Sequence, residues 1–215
     1  VRALLDNDIL VKGSCYGLVS ELAESVPGTA LQFGVLGAAR YVVPDAIRRT
    51  PLTVRPDKPI AVFLEFLAEQ QEVEPTAEER RLAATLEAHA QQLALSLDAG
   101  ESQLAAILIG RGLPYLATGD KRAITSLEKL VDTDKEHAAL SGKIICLEQL
   151  VGNLMRRLGV EGVREAICSE PQVDKTMTIC FACHSDKVTE ESVAAGMDSY
   201  VRDLRLVAVR TLVVT

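Results

Sequence analysis

The chain has 215 residues, 48% hydrophobic and 25% charged, with four Tyr, four Phe and no Trp. That is an ordinary globular balance, with a core built from Leu, Val, Ile and Ala. The formal net charge of −7 argues against extensive phosphate-backbone binding, though not against an enzyme that holds a few nucleotides beside metal ions.

In chain order, Val1 to Leu5 is short and continuously apolar and reads as a buried strand. Val11 to Ser25 reads as a helix with Leu18 and Leu22 on one face, and "VPG", Val26 to Gly28, as a turn. "ARYVVP", Ala39 to Pro44, is expected to be a second strand stopped by its Pro. Arg48 to Pro59 is a basic, Pro-punctuated loop, followed by a helix over Ile60 to Gln71. Thr76 and Glu79 have capping-box spacing ahead of Leu82, Leu86, His89 and Leu93, which predicts a long amphipathic helix.

Asp98 and Gly100 precede a helix from Glu101 to Ile109, ended by Gly110 and Gly112. "YLAT", Tyr115 to Thr118, is a strand, and Gly119-Asp120 turns into another helix. "GKIICL", Gly142 to Leu147, is the last apolar strand, with a helix through Leu158. Strands alternating with helices predict an α/β fold with a mainly parallel sheet over residues 1–158. Residues 159–215 read as a mainly helical C-terminal extension. Its apolar end, Leu204 to Val214, is expected to pair in a sheet or pack on a partner.

No run of roughly 18 apolar residues suggests a membrane span, and no charged start precedes an apolar stretch of signal-peptide type. The five Cys are an odd number, three of them near the end, so a disulfide framework is not expected and a reducing cytoplasm is the default. "CFACH", Cys180 to His184, has the C-x-x-C-H spacing of haem attachment, and Cys168, Cys180, Cys183 and His184 make four formal zinc ligands. Neighbouring side chains at 183 and 184 diverge, however. Burial of Cys180 and Cys183 on one helix face is the favoured reading. Cys15 and Cys146 are expected in the core, His89 packed on its helix and His137 solvated.

Three carboxylates share a context. Asp6 ends the first strand inside "LLDNDIL", where an unpaired charge is costly to bury. Glu101 opens a helix that leads into "YLAT", and Asp120 follows that strand. Ligands bind at the carboxyl ends of parallel strands, so the three converge on one rim. Taken singly, each has a purely structural explanation as a cap or first-turn acid. Clustered, they repel unless a cation holds them, and hard oxygen ligands suit Mg²⁺ or Mn²⁺.

These segments carry a resemblance. "LLDNDIL" is similar to the opening strand of PIN-domain nucleases. "LDAGESQLAAIL" resembles their Gly-Glu helix start, and "LATGDKRAI" their strand-end Asp motif. "GKIICLEQLVGNL" is similar to their closing strand and helix. The resemblance spans Val1 to Leu158 and implies a PIN-like three-layer α/β/α fold. It also implies a divalent-metal-dependent ribonuclease, as in the VapC-like toxins of VapBC toxin–antitoxin pairs. The implied catalytic and metal residues are Asp6, Glu101 and Asp120, with Asp8 as a further ligand. Lys121 and Arg122 are candidate phosphate contacts beside Asp120, and Arg48, Arg49, Arg55 and Lys58 form a second basic group.

The implied partners are RNA as substrate and an antitoxin-like or regulatory protein, with a homodimer as a further candidate. The family has another acid between the first strand and the Gly-Glu motif. Asp45, Glu65 and Glu69 are the candidates, and none sits in a motif. The competing expectation is therefore a catalytically inactive PIN-like module that binds nucleic acid or protein.

Overall fold

The computed structural model describes residues 1–28, 32–185 and 187–214. Strand β1 (Ala3–Leu5) feeds directly into helix α1 (Asn7–Tyr16), with Asp6 as the helix cap between them. The helix expected over Val11–Ser25 is two helices. Gly17 takes φ of 67°, a left-handed conformation open to glycine, and its N–H closes α1 on the Gly13 and Ser14 carbonyls. Helix α2 (Val19–Glu24) then folds back. It packs so closely that a Cβ at Gly13 would stand 2.9 Å from the Val19 Cα.

Strand β2 (Gly34–Leu36) follows, then helix α3 (Ala39–Arg49). The expected strand Ala39–Pro44 is thus the first half of a helix. Ala39, Val43 and Ile47 are all fully buried and fall one helical turn apart, while Tyr41, which a strand would place on the same face as Ala39 and Val43, is exposed. That burial outweighs the hydrogen bond Pro44 removes. Helix α4 (Asp57–Ala68) begins inside the predicted basic loop and ends before the predicted limit, because Gln71–Val73 is strand β3.

Helix α5 (Ala77–Gln92) carries the capping box of Thr76 and Glu79 as expected. Helix α6 (Ala99–Gly110), strand β4 (Tyr115–Thr118), helix α7 (Lys121–Leu130), strand β5 (Ile144–Cys146) and helix α8 (Leu147–Leu158) follow the predicted order closely. Beyond them come helices α9 (Val160–Ser169), α10 (Lys175–Cys180) and α11 (Glu190–Val207).

The five strands form one sheet, all parallel, in the order β3-β2-β1-β4-β5. The register places Leu4 opposite Leu116 and Leu5 opposite Ala117. Strands β1, β2 and β5 are apolar on both faces because both are covered, whereas the edge strand β3 exposes Gln71 and Glu72 and buries only Val73. Ala3, Leu5, Val35, Ala117 and Ile145 join a core with α1, α3, α4 and α8. Leu4, Leu36, Leu116 and Ile144 join a second core with α5, α6 and α7. Helices therefore flank the sheet on both sides. Val163, Ile167, Met177 and Val193 add to the first core, and Leu204 and Leu212 to the second.

The apolar C-terminal segment pairs in the sheet, as one of its two expected fates. Leu212 bridges Ile144 in parallel, and the Ile144 N–H donates to the Thr211 carbonyl at 2.9 Å. This covers the open edge of β5. Glu128 fixes the segment by accepting from the Thr211 N–H and hydroxyl, both at 2.8 Å, and from the Arg210 backbone and guanidinium.

Two expectations about Cys and His are corrected. Cys168 and Cys183 are joined by a disulfide across 15 residues. Helix α10 ends at Cys180, and the turn after it carries Cys183 over to α9 instead of along one helix face with Cys180. Cys180 is buried and free, like Cys15 and Cys146. His137 is fully buried rather than solvated, its Nδ1 lying 2.8 Å from the Thr133 hydroxyl and 3.2 Å from the Leu130 carbonyl. Its imidazole stands edge-on to that of His89. Burial lowers the pKa of His137, so it is a neutral core group.

Candidate active site

The chain builds β1, β2 and β3 outward in one direction and then returns to add β4 and β5 on the other side. The reversal leaves a crevice at the carboxyl ends of β1 and β4, where open parallel sheets bind ligands. Asp6 follows β1 and Asp120 follows β4, so the topology alone brings both to that crevice.

Asp6 is held on two sides. Its Oδ1 accepts from the Asn7 N–H at 2.7 Å, as a helix cap does. Its Oδ2 accepts from the hydroxyl of Thr118, the last residue of β4, also at 2.7 Å. The Asp6 N–H in turn donates to the Ala117 carbonyl at 3.0 Å. The side chain is nearly sealed from solvent, and burial raises its pKa to about 7 against the Thr118 bond. The charge of Asp8 adds to the rise.

Glu101 sits in the first turn of α6. It forms a reciprocal capping box with Asp98: its Oε2 accepts from the Asp98 N–H and its own N–H donates to Asp98 Oδ1, both at 2.8 Å. The same residue lines a small cavity with Asp6 and Thr118. Burial raises its pKa to about 7, with smaller contributions from the charges of Asp98, Asp6 and Asp120. Two acids on different elements thus titrate near neutrality because each loses water and faces other carboxylates.

Asp120 behaves in the opposite way. It caps α7 through the Arg122 N–H at 2.7 Å, and its Oδ2 pairs with the Arg122 guanidinium at 2.8 Å. Burial pushes its pKa up, but the Arg122 bonds prevail and hold it below the usual range. Asp8, in the first turn of α1, has its pKa raised by burial against the pull of Lys12, 2.8 Å away. The Asp8 carboxylate lies over Gly119, where a Cβ would stand 2.0 Å from Oδ2.

Three contributors escape the sequence reading. Thr118 is an ordinary strand residue by sequence, and only the β1–β4 pairing shows its role. Lys12 bridges Asp8 and Asp174, the latter at 2.7 Å, and so ties the N-cap of α10 to α1. Asp174 caps α10, a local role that says nothing of the distant site. The three candidates for a further acid are all exposed, and Asp45 is engaged with Arg48 on its own helix.

Lys121 and Arg122 are both occupied. Lys121 pairs with the buried Glu148 at 2.9 Å and lies 4.6 Å above the ring of Tyr200. Arg122 is exposed but bound to Asp120. The formal zinc set is broken by the disulfide, and His184 is exposed. The same bond removes one of the two thiols that the C-x-x-C-H reading needs.

The carboxylates are hard oxygen donors, and a divalent cation would relieve their mutual repulsion. As the side chains stand, no group of three or more acidic, His or Cys ligands surrounds a common point among the described residues. Asp6 is turned to Asn7 and Thr118, Glu101 to Asp98 and Asp120 to Arg122. Also among the described residues, no helix is long and apolar enough to cross a membrane. No protein-family model, curated protein or solved structure matches the chain.

Proposed function

We propose that the chain is a PIN-like ribonuclease dependent on Mg²⁺ or Mn²⁺, working at the crevice between β1 and β4. The observation that carries this reading is that Asp6 and Glu101 line one small cavity at the sheet's topological switch point. Capping explains why an acid stands at each helix start. It does not explain why buried Asp6 and half-buried Glu101 lie beside one cavity with pKa values raised to about 7.

A bound divalent ion would supply Lewis-acid activation of water and of the phosphodiester. The donor chemistry suits such an ion, but the present side-chain arrangement is not a ligand set, so no step is routed through it. What the protein itself contributes is clearer. Thr118 and the Asn7 N–H fix the Asp6 carboxylate at the crevice. Lys12 holds Asp8 against Gly119. Arg122, exposed at the rim, competes with any incoming cation for Asp120. If an RNA phosphate drew Arg122 away, Asp120 would be released toward the crevice.

A second reading rests on those same ion pairs. Arg122 and Lys12 already neutralise Asp120 and Asp8, which suits a catalytically inactive PIN-like module that binds nucleic acid or protein. An antitoxin-like partner, a homodimer and a cytoplasmic location are parts of the proposal under either reading.

The test is cleavage of labelled single-stranded RNA with Mg²⁺ or Mn²⁺, run beside calorimetric titration of each metal, for wild type and Asp6→Asn. Metal binding and cleavage that are both lost in Asp6→Asn support the nuclease. Absence of both in the wild type overturns it and leaves the binding module.

A further inference from the structure

Helix α10 touches the rim of the acidic crevice at two points. Asp174, its N-cap, pairs with Lys12 at 2.7 Å, and Lys12 pairs with Asp8 at 2.8 Å. The Lys12 side chain is only 14% exposed, so two carboxylates hold one ammonium with little water between them. On the other side of Gly119, the Lys121 ammonium donates to the Thr176 hydroxyl of α10 at 3.4 Å. A segment of the C-terminal extension thus occupies a lysine beside the candidate site.

Little holds α10 there on its own account. It has six residues, too few for a helix to persist without support. Asp174 Oδ1 accepts from the Met177 N–H at 3.0 Å, and the Thr178 hydroxyl donates to the Asp174 carbonyl at 3.0 Å, but both bonds are internal to the turn. From outside, Met177 packs into the core, Arg164 of α9 donates to the Phe181 carbonyl at 3.0 Å, and the Cys168–Cys183 disulfide ties the end of the turn to α9. Helix α9 has anchors of its own in Val163 and Ile167, both fully buried. The disulfide therefore bears on α10 more than on α9 or the sheet. Cys168 and Cys183 are half-buried, with exposed Ser169 and His184 beside them, whereas Cys15, Cys146 and Cys180 are buried.

We propose that this disulfide is a redox latch: while it stands, α10 keeps Asp174 on Lys12 at the crevice rim, and its reduction releases Asp174 and lets Lys12 turn to an incoming anion. The reductant is a dithiol. Its thiolate attacks one sulfur, the S–S bond breaks, and the other cysteine leaves as a thiolate and takes a proton. The second thiol of the reductant then displaces the first cysteine. The chain gains two electrons and two protons, and the reductant closes to its own disulfide. When Asp174 leaves, the rim loses one negative charge and Lys12 keeps only Asp8. That the anion is an RNA phosphate rests on the ribonuclease reading above; the latch itself does not.

The experiment compares the full chain before and after reduction with dithiothreitol. Thiol alkylation read by mass spectrometry reports the state, since Cys168 and Cys183 label only after reduction. Trace acetylation then reads Lys12 against half-buried Lys143 and exposed Lys58. Reduction should speed Lys12 labelling at least about fivefold and leave the other two within about twofold. Asp174→Ala should bring the same rise with the disulfide intact, and reductant should then add little. Unchanged Lys12 labelling in the reduced protein, equal acceleration at Lys143, or a full reductant response retained by Asp174→Ala would overturn the latch. Fluorescence anisotropy with labelled single-stranded RNA in EDTA separates the latch from the ribonuclease reading. Binding about threefold tighter after reduction supports both. Faster Lys12 labelling with no RNA bound in either state supports the latch and counts against the ribonuclease.

Discussion

The Thr118 hydroxyl donates to Asp6 Oδ2 at 2.7 Å, joining the ends of two strands that lie 112 residues apart in the chain. Nothing else in β4 reaches the Asp6 carboxylate, and the bond opposes the rise that burial imposes on its pKa. Thr118→Val keeps the shape and removes the donor. It should lower stability by about 1–3 kcal/mol and raise the Asp6 pKa further. Thr118→Ser should restore both. Urea unfolding and carboxyl-carbon NMR titration read the two effects separately, and a Val variant with an unmoved Asp6 pKa would refute the assignment.

The pH dependence of stability follows from the same carboxylate. Its pKa is near 3.8 unfolded and about 7 folded. The folded state therefore holds a proton that the unfolded chain has released between those values. The contribution is fully favourable below about pH 4 and is lost as pH rises through 7. The shift of about three units corresponds to at most about 4 kcal/mol. Glu101, raised to about 7, acts in the same direction. Asp6→Asn keeps the cap and the Thr118 partner without the charge, so it should be more stable than wild type at pH 8 and about equal at pH 4. Thermal melts of both proteins across that range decide it. An equal difference at both ends would mean that Asp6 is not the titrating group.

Legibility from sequence divides along the local and the distant. The capping box at Thr76, the turn into α7 at Asp120 and the strand Tyr115–Thr118 were readable because their signals lie within a few residues. The approach of Asp6, Glu101 and Asp120 to one rim was readable because strand ends in a parallel sheet share an edge. Helix α3 was missed because a Pro after an apolar run looked like a strand stop, although the helical spacing of Ala39, Val43 and Ile47 was present. Strands β2 and β3 have only three residues each and are made by pairing more than by composition. Lys12–Asp174 and Cys168–Cys183 depend on how the C-terminal helices fold back, which no local pattern encodes.

Gly119 is constrained by space rather than by its backbone angle. A Cβ there would stand 2.0 Å from Asp8 Oδ2 and 3.3 Å from the Lys12 ammonium. Gly119→Ala should force Asp8 out of its place and cost about 1–3 kcal/mol. Asp8→Ala removes the obstruction, so the double variant should recover part of the loss. A double-mutant cycle by chemical denaturation measures that coupling. Additive losses would mean that Asp8 does not lie over Gly119.

The Cys168–Cys183 bond closes a loop of 15 residues that contains Asp174, the partner of Lys12. In the chain-entropy account a loop of about that length stabilises by about 3 kcal/mol. Reduction, or Cys168→Ser, should lower the unfolding free energy by about that amount. It should also loosen α10 before the sheet, since α10 is short and its cap ties it to Lys12. Hydrogen exchange should show faster exchange at Met177 and Thr178 after reduction, with Leu4 and Leu116 unchanged. Equal acceleration in the strands would indicate that the bond supports the whole fold and not this helix in particular.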